Sequence, residues 1–160
     1  MQPYSAFFAI PALAAMAACT VTPPPLTLND DRIVAGERIG DVEIGMTLDQ
    51  LLALKGTPQK TTPMRGSAAT SYSFDGLAVA ASDNVYWIIA HDPRFRTTDG
   101  IGPGVEQIFA RSVAGRPICV INKEYETSYD YGDFYFDVDN TSGKVTKVGV
   151  RVAQDVCGAE

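Results

Sequence analysis

The chain has 160 residues, 46% of them hydrophobic and 20% charged, a make-up that fits a folded globular protein and excludes a disordered tail. Thirteen Lys and Arg against nineteen Asp and Glu leave a net charge of −6, which repels polyphosphate and argues against a nucleic-acid partner. The same balance gives no electrostatic pull toward anionic lipid, so any membrane attachment has to come from another feature.

Residues 5–18 read SAFFAIPALAAMAA, the length of a signal-peptide apolar region and too short to span a bilayer. The stretch ends in Met16-Ala17-Ala18-Cys19, which resembles the lipobox of bacterial lipoproteins. Residues 1–18 are therefore expected to be a signal peptide, and Cys19 the lipidated first residue of the mature protein. Acyl chains there would hold the protein to a membrane, each buried methylene contributing about 0.8 kcal/mol. A plain secretory signal cut nearby, or a short membrane anchor, is the other reading, because residues 1–4 carry no Lys or Arg. Thr20 after the Cys, in place of Asp, fits the sorting of bacterial lipoproteins to the outer membrane, with the domain facing the periplasm. Residues 19–31, with three consecutive prolines, read as an extended tether.

A folded domain is expected over residues 32–157, built from two similar parts at about 39–92 and 97–152. Each part opens with a short helix. In the first, Thr47 and Gln50 form a capping box, Leu48, Leu51 and Leu52 share a face, and Gly56 before Pro58 ends the helix. In the second, which begins Ile101-Gly102, Gly104 stands at the N-cap, Val105, Ile108 and Phe109 form the apolar stripe, and Gly115-Arg116-Pro117 closes the segment. Strand-like sequence follows each helix, at residues 70–74, 77–81 and 85–90 and again at 118–125, 133–138 and 144–152. Phe134, Phe136 and Val138 alternate with Asp133, Tyr135 and Asp137, so one face of that strand is expected inside. The fold class is α+β: two helix-plus-antiparallel-meander repeats with short helices packed on sheet.

The segment Gly45-Met46-Thr47, Gln50 and Gly56-Thr57-Pro58 resembles the outer-membrane assembly lipoproteins that accompany the β-barrel insertion machinery. The tandem form, with Thr98-Asp99-Gly100-Ile101-Gly102, is similar to the β-lactamase inhibitor protein superfamily. The resemblance covers about 14 residues closely. It implies a non-enzymatic scaffold lipoprotein or a protein inhibitor of a periplasmic or foreign hydrolase, presenting a sheet or loop surface to another protein. The motif residues are capping and turn residues, so no binding residue carries over. Lys55 stands where such sequences usually have Leu.

Setting Cys19 aside leaves Cys119 and Cys157, an even pair in an oxidising compartment, which reads as a disulfide or else as two buried thiols. The one histidine, His91, sits beside Asp92, but neighbours on an extended chain point apart, and Pro93 marks a turn. Residues 137–143 have the look of a calcium loop yet place Ser142 where Gly is required, so a hairpin turn is expected. No catalytic constellation, metal site or cofactor site emerges. The one unusual surface is residues 124–133, where Tyr125, Tyr129 and Tyr131 are interleaved with acids in an expected hairpin loop. These tyrosines are candidate partner-binding residues, because tyrosine offers large contact area at low entropic cost.

Overall fold

A computed structural model describes residues 30–153. The signal-peptide and tether readings and the positions of Cys19 and Cys157 lie outside the described residues. Three two-residue strands, β1 (Ile33–Val34), β2 (Arg38–Ile39) and β3 (Val42–Glu43), form a small antiparallel sheet that the sequence reading did not anticipate. Next come α1 (Leu48–Lys55) and the strands β4 (Lys60–Pro63), β5 (Thr70–Phe74), β6 (Leu77–Ala81) and β7 (Val85–Ala90). The pattern then recurs as α2 (Gln107–Ala114), β8 (Cys119–Asn122), β9 (Glu126–Asp130), β10 (Phe134–Asp139) and β11 (Val145–Arg151). All eight later strands join one antiparallel sheet in the order β4-β5-β6-β7-β11-β10-β9-β8. The described residues are thus α+β, with mostly antiparallel sheet and two short helices.

Each helix is tied to the last strand of its own meander by the same three backbone hydrogen bonds. Gly45 N–H donates to Val85 O, Val85 N–H to Met46 O and Leu48 N–H to Asp83 O, at 2.7–2.9 Å. In the second half Gly104 N–H donates to Val145 O, Val145 N–H to Val105 O and Gln107 N–H to Gly143 O, over the same range. The sheet register shifts by a bulge beside both anchoring strands, at Ala80/Ala81 and at Asp137/Val138.

Helix α1 forms as its sequence dictates. Thr47 Oγ1 accepts from Gln50 N–H at 3.2 Å, Gln50 Oε1 accepts from Thr47 N–H at 3.0 Å, and Gly56 closes the helix at φ +74°. Leu51 is fully buried, with Leu48 and Leu52 packed on the same core. Lys55, at the end of that helix, pairs with Asp41 at 3.0 Å. The core lies between the helices, the small sheet and one face of the large sheet, where Val79, Ile88, Phe136, Val148 and Val150 are fully buried. Fully burying a side chain of this size contributes about 1.5–3 kcal/mol.

Three expectations need correction. Each meander has four strands, not three: β4 is an exposed edge strand without the apolar alternation that marks a strand, and residues 118–125 divide into β8 and a turn. Residues 126–130, expected in a loop, are β9, an inner strand between β8 and β10. Helix α2 begins two residues later than expected, with Glu106 at the N-cap and no side-chain cap, while Gly104 sits at φ +90° in the preceding turn.

Candidate functional site

The shifted start of α2 changes which side of it faces inward. Counted from Gly45 and Gly104, which make the same hydrogen bond, the inward residues Leu48, Leu51 and Leu52 of α1 correspond to Gln107, Ala110 and Arg111 of α2. Ala110 is fully buried against the core. Gln107 Nε2 donates to the Tyr129 hydroxyl, and the Arg111 guanidinium lies 5.1 Å from the centre of the Tyr129 ring. The seat of α2 is therefore built of small apolar residues, Ala110 with Ala114 packed beside it, while Gln107 and the exposed Arg111 contact a buried tyrosine.

The large apolar side chains of α2 point outward. Ile108 is 81% exposed, Phe109 42% and Val113 37%, so the stripe of Val105, Ile108 and Phe109 expected inside is only partly so: Val105 packs on the core and the other two do not. Alongside lies edge strand β8. There Val120 pairs with Tyr129 and shares its helix-side face, and Ile118 and Val120 are both exposed. A groove of about 370 Å³ continues this surface between α2, β1 and the loop of residues 97–101, with Val113, Ala114, Ile33, Ile101, Tyr131 and Phe134 in its walls. Five of the seven large hydrophobic residues exposed among the described residues belong to α2 and β8 or the link between them. Arg111 and Arg116 rim the patch in an otherwise acidic chain.

The three candidate tyrosines separate. Tyr129 is a buried β9 residue stacked on Phe136 at 5.3 Å, so it is a core side chain and not a docking residue. Tyr131, just past β9, is half-buried in the groove wall between Phe134 and Phe136, and its hydroxyl reaches the Gly115 carbonyl at 3.5 Å. Burial raises its phenol pKa, with nearby Arg111 opposing. Tyr125 stands exposed at the opposite end of β9, away from the other two. What links Tyr131 to α2 is the β8–β9 pairing, a long-range contact that local tyrosine spacing does not report.

The face of the sheet opposite the helices is also closed, but by polar packing. Tyr135 and Asp137, expected on the outside of β10, are 5% and 3% exposed. Trp87 meets Tyr135 edge-on at 5.9 Å, Arg151 lies 5.7 Å from the same ring and pairs with Asp130, and Lys147 bridges Asp137 at 2.8 Å and Glu126 at 3.0 Å. The Trp87 indole nitrogen and Asp137 Oδ1 are buried without a hydrogen-bond partner among the described residues.

His91 follows β7, and partial burial of its ring together with nearby Lys147 lowers its pKa. Asp92, its neighbour, instead accepts from Arg94 N–H at 2.8 Å. In the turn joining β10 and β11, Asp139 accepts from Ser142 N–H at 2.7 Å, as a hairpin turn requires, and this bond holds its carboxyl below the ordinary value. Cys119 is buried in β8. Among the described residues no three His, Cys, Asp or Glu side chains converge as metal ligands, and no helix is long and apolar enough to cross a membrane.

No protein-family model matches the sequence, and no curated protein is similar to it in sequence. Among solved structures the chain is similar to an extracellular protein containing a SCP domain from Bacillus anthracis, at 10% identity and TM-score 0.49 over 68% of this chain and 44% of that one. It is similar to a cysteine-rich secretory protein from Staphylococcus aureus at 16% identity and TM-score 0.48, over 78% of this chain and 48% of that one. It is also similar to a DUF4309 family protein from Bacillus subtilis at 16% identity and TM-score 0.48, over 74% of this chain and 88% of that one. The chain thus spans less than half the length of the first two proteins.

Proposed function

We propose that this chain is a non-enzymatic, lipid-tethered protein of the cell envelope that binds another protein through the outward face of α2 and the groove beside it. The observation that carries the reading is the orientation of α2, with Ala110 buried on the core, Gln107 bonded to Tyr129, and Ile108, Phe109 and Val113 turned out. Scattered exposed apolar residues are ordinary, but a contiguous patch on a soluble domain marks an interaction surface. The matching partner is apolar at its centre and carries carboxylates where Arg111 and Arg116 meet it. Tyr131 contributes from the groove wall.

Attachment through Cys19, residence at the outer membrane and the disulfide between Cys119 and Cys157 come from the sequence reading. The shared helix-anchoring hydrogen bonds and the paired bulges support a duplicated helix-plus-meander unit. So does the even spacing by which Gly45, Gly56 and Pro58 are followed by Gly104, Gly115 and Pro117. That duplication is what the likeness to assembly lipoproteins and the β-lactamase inhibitor superfamily implies.

The test uses the full chain in intact cells. A photo-reactive amino acid at position 108 should give a discrete protein adduct, and the same group at position 141, in the β10–β11 turn, should give none. Adding Val113→Asp should abolish the adduct while leaving the melting temperature unchanged, since substitutions at exposed sites shift stability by less than about 0.5 kcal/mol. Barrel-assembly components in the adduct would identify a scaffold, and a single hydrolase an inhibitor. A chain that gives no adduct at 108, or an adduct insensitive to Val113→Asp, refutes the surface.

A further inference from the structure

We propose that two copies of this chain join through edge strand β8, pairing antiparallel across a two-fold axis so that one sheet runs through both. The joint uses the sheet edge and not the outward face of α2, so it stands apart from the reading above.

The two edges of the large sheet are unlike. Strand β4 ends one side with Lys60, two threonines and Pro63, all exposed, and a lysine and a proline are what blunt an edge against further pairing. Strand β8 ends the other side as Cys119-Val120-Ile121-Asn122, with neither charge nor proline. Among the described residues its one neighbour in the sheet is β9. Lys123 N–H donates to Glu126 O at 2.8 Å, and the register sets Ile121 opposite Ser128 and Cys119 opposite Asp130. Bonding alternates along an antiparallel strand, so Cys119, Ile121 and Lys123 turn their N–H and C=O groups toward β9. Val120 and Asn122 turn theirs away from it, and both of these residues are exposed.

A second copy satisfies this edge in one register. With the axis through Ile121, Val120 stands opposite Asn122 of the second copy, and Asn122 opposite its Val120. Each pair exchanges two hydrogen bonds, so all four outward backbone groups of each copy are bonded. With the axis through Val120, Asn122 would meet Ile118, whose N–H already donates to Asp130 O at 2.7 Å. In the favoured register Ile121 meets its own counterpart on the axis, with about 4.5–5.5 Å between Cβ atoms. Charge agrees. Ile118 comes opposite Glu124 of the second copy, and Arg116, two residues or about 7 Å further along, is within reach of that carboxylate. Arg116 and Glu124 are both exposed, and neither makes an ion pair among the described residues. The two-fold repeats the Arg116–Glu124 pair at both ends of the joint. The axis stands normal to the sheet, so both α2 helices lie on one side of it and the dimer presents two α2 faces together.

The test uses the full chain purified in mild detergent. Sedimentation equilibrium should show the protein mass rising with concentration from monomer toward twice that value. Val120→Pro removes a donor that β9 does not use, so it should keep the near-ultraviolet circular dichroism of the wild type and yet remain monomeric. Arg116→Glu and Glu124→Arg should each weaken association about tenfold, and the two together should restore it. A photo-reactive amino acid at position 121, in intact cells, should give an adduct of the chain with itself that Val120→Pro abolishes. A monomeric wild type, a dimer insensitive to Val120→Pro or a double charge reversal that fails to restore association overturns the proposal. So does an adduct at 121 with a different protein, which would mean that a foreign strand holds this edge. The α2 reading is judged separately, by the adduct at position 108 and its loss in Val113→Asp, so either can fail while the other stands.

Discussion

Replacing Gly149 by Ala drives a methyl group into the Tyr135 ring. The two residues are direct partners across β10 and β11, and an ideal Cβ on Gly149 stands 1.8 Å from Tyr135 Cε1 and 2.3 Å from Cζ. Gly149 is not among the glycines with positive φ, so the penalty is steric alone. The ring has little room to yield, because Trp87 holds it edge-on, Arg151 covers it and only 5% of the residue is exposed. Overpacking of a filled site costs about 1–3 kcal/mol, and loss of an edge-on aromatic contact adds about 0.5–1.5 kcal/mol. We expect Gly149→Ala to lose about 2–4 kcal/mol by urea denaturation, with each kcal/mol lowering Tm by roughly 2–4 °C. The decisive measurement is the same substitution in a Tyr135→Ala background. With the ring gone, Gly149→Ala should cost less than about 0.5 kcal/mol, or stabilise slightly by restricting the unfolded chain. An equal cost in both backgrounds, or a cost below about 0.5 kcal/mol in the wild type, refutes the reasoning.

Thr47→Ala removes the half of the α1 capping box that Thr47 Oγ1 accepts, keeping the backbone N–H that donates to Gln50 Oε1, and should cost about 0.5–2 kcal/mol in urea denaturation, with Gln50→Ala removing the other half. Stability should also decline at alkaline pH. Burial raises the Tyr135 phenol far above its ordinary value; at Lys147 partial burial works downward, but the carboxylates of Asp137 and Glu126 outweigh it and raise the pKa. Both folded-state values lie above the unfolded ones, so each contribution is complete below about pH 10 and is lost as pH rises, by up to about 1.4 kcal/mol per unit per group. Urea midpoints measured upward from about pH 8 should fall above about pH 10, and less steeply in Tyr135→Phe; an equal slope in that variant rules out the phenol.

Local chemistry made α1 legible. Thr47, Gln50 and Gly56 act through bonds spanning three or four residues, so sequence alone places both ends of that helix. Strands β5, β6 and β7 are legible for a similar reason, since tight turns around Asp75-Gly76 and Asp83-Asn84 separate apolar runs. Strand β4 is not, because an edge strand of Lys60, two threonines and Pro63 has no buried face to imprint a pattern. Strand β9 is hidden by the opposite effect. Its buried side chains include Thr127, Ser128 and Asp130, which read as loop residues until Arg151 and Asn140 are placed against them from distant parts of the chain.

The proposed interaction surface was half legible, and the missing half is instructive. Spacing of apolar residues tells that α2 has two unlike faces, but not which of them meets the core. What decides it is the pinning of its N-terminal end: Gly104 N–H is bonded to Val145 O in β11 and Gln107 N–H to Gly143 O in the turn just before it. Turning Ile108 inward would mean rotating a helix of two turns by about one residue, 100°, against those anchors. It would also strip Gln107 and Arg111 from Tyr129. A domain that needed this helix only for stability would gain from a second leucine-faced helix like α1, because burying each such side chain contributes about 1.5–3 kcal/mol. Keeping Gln107 and Arg111 at the positions that Leu48 and Leu52 hold in α1, with an outward Ile, Phe and Val, sets that gain aside, which is the arrangement expected under the proposed binding role.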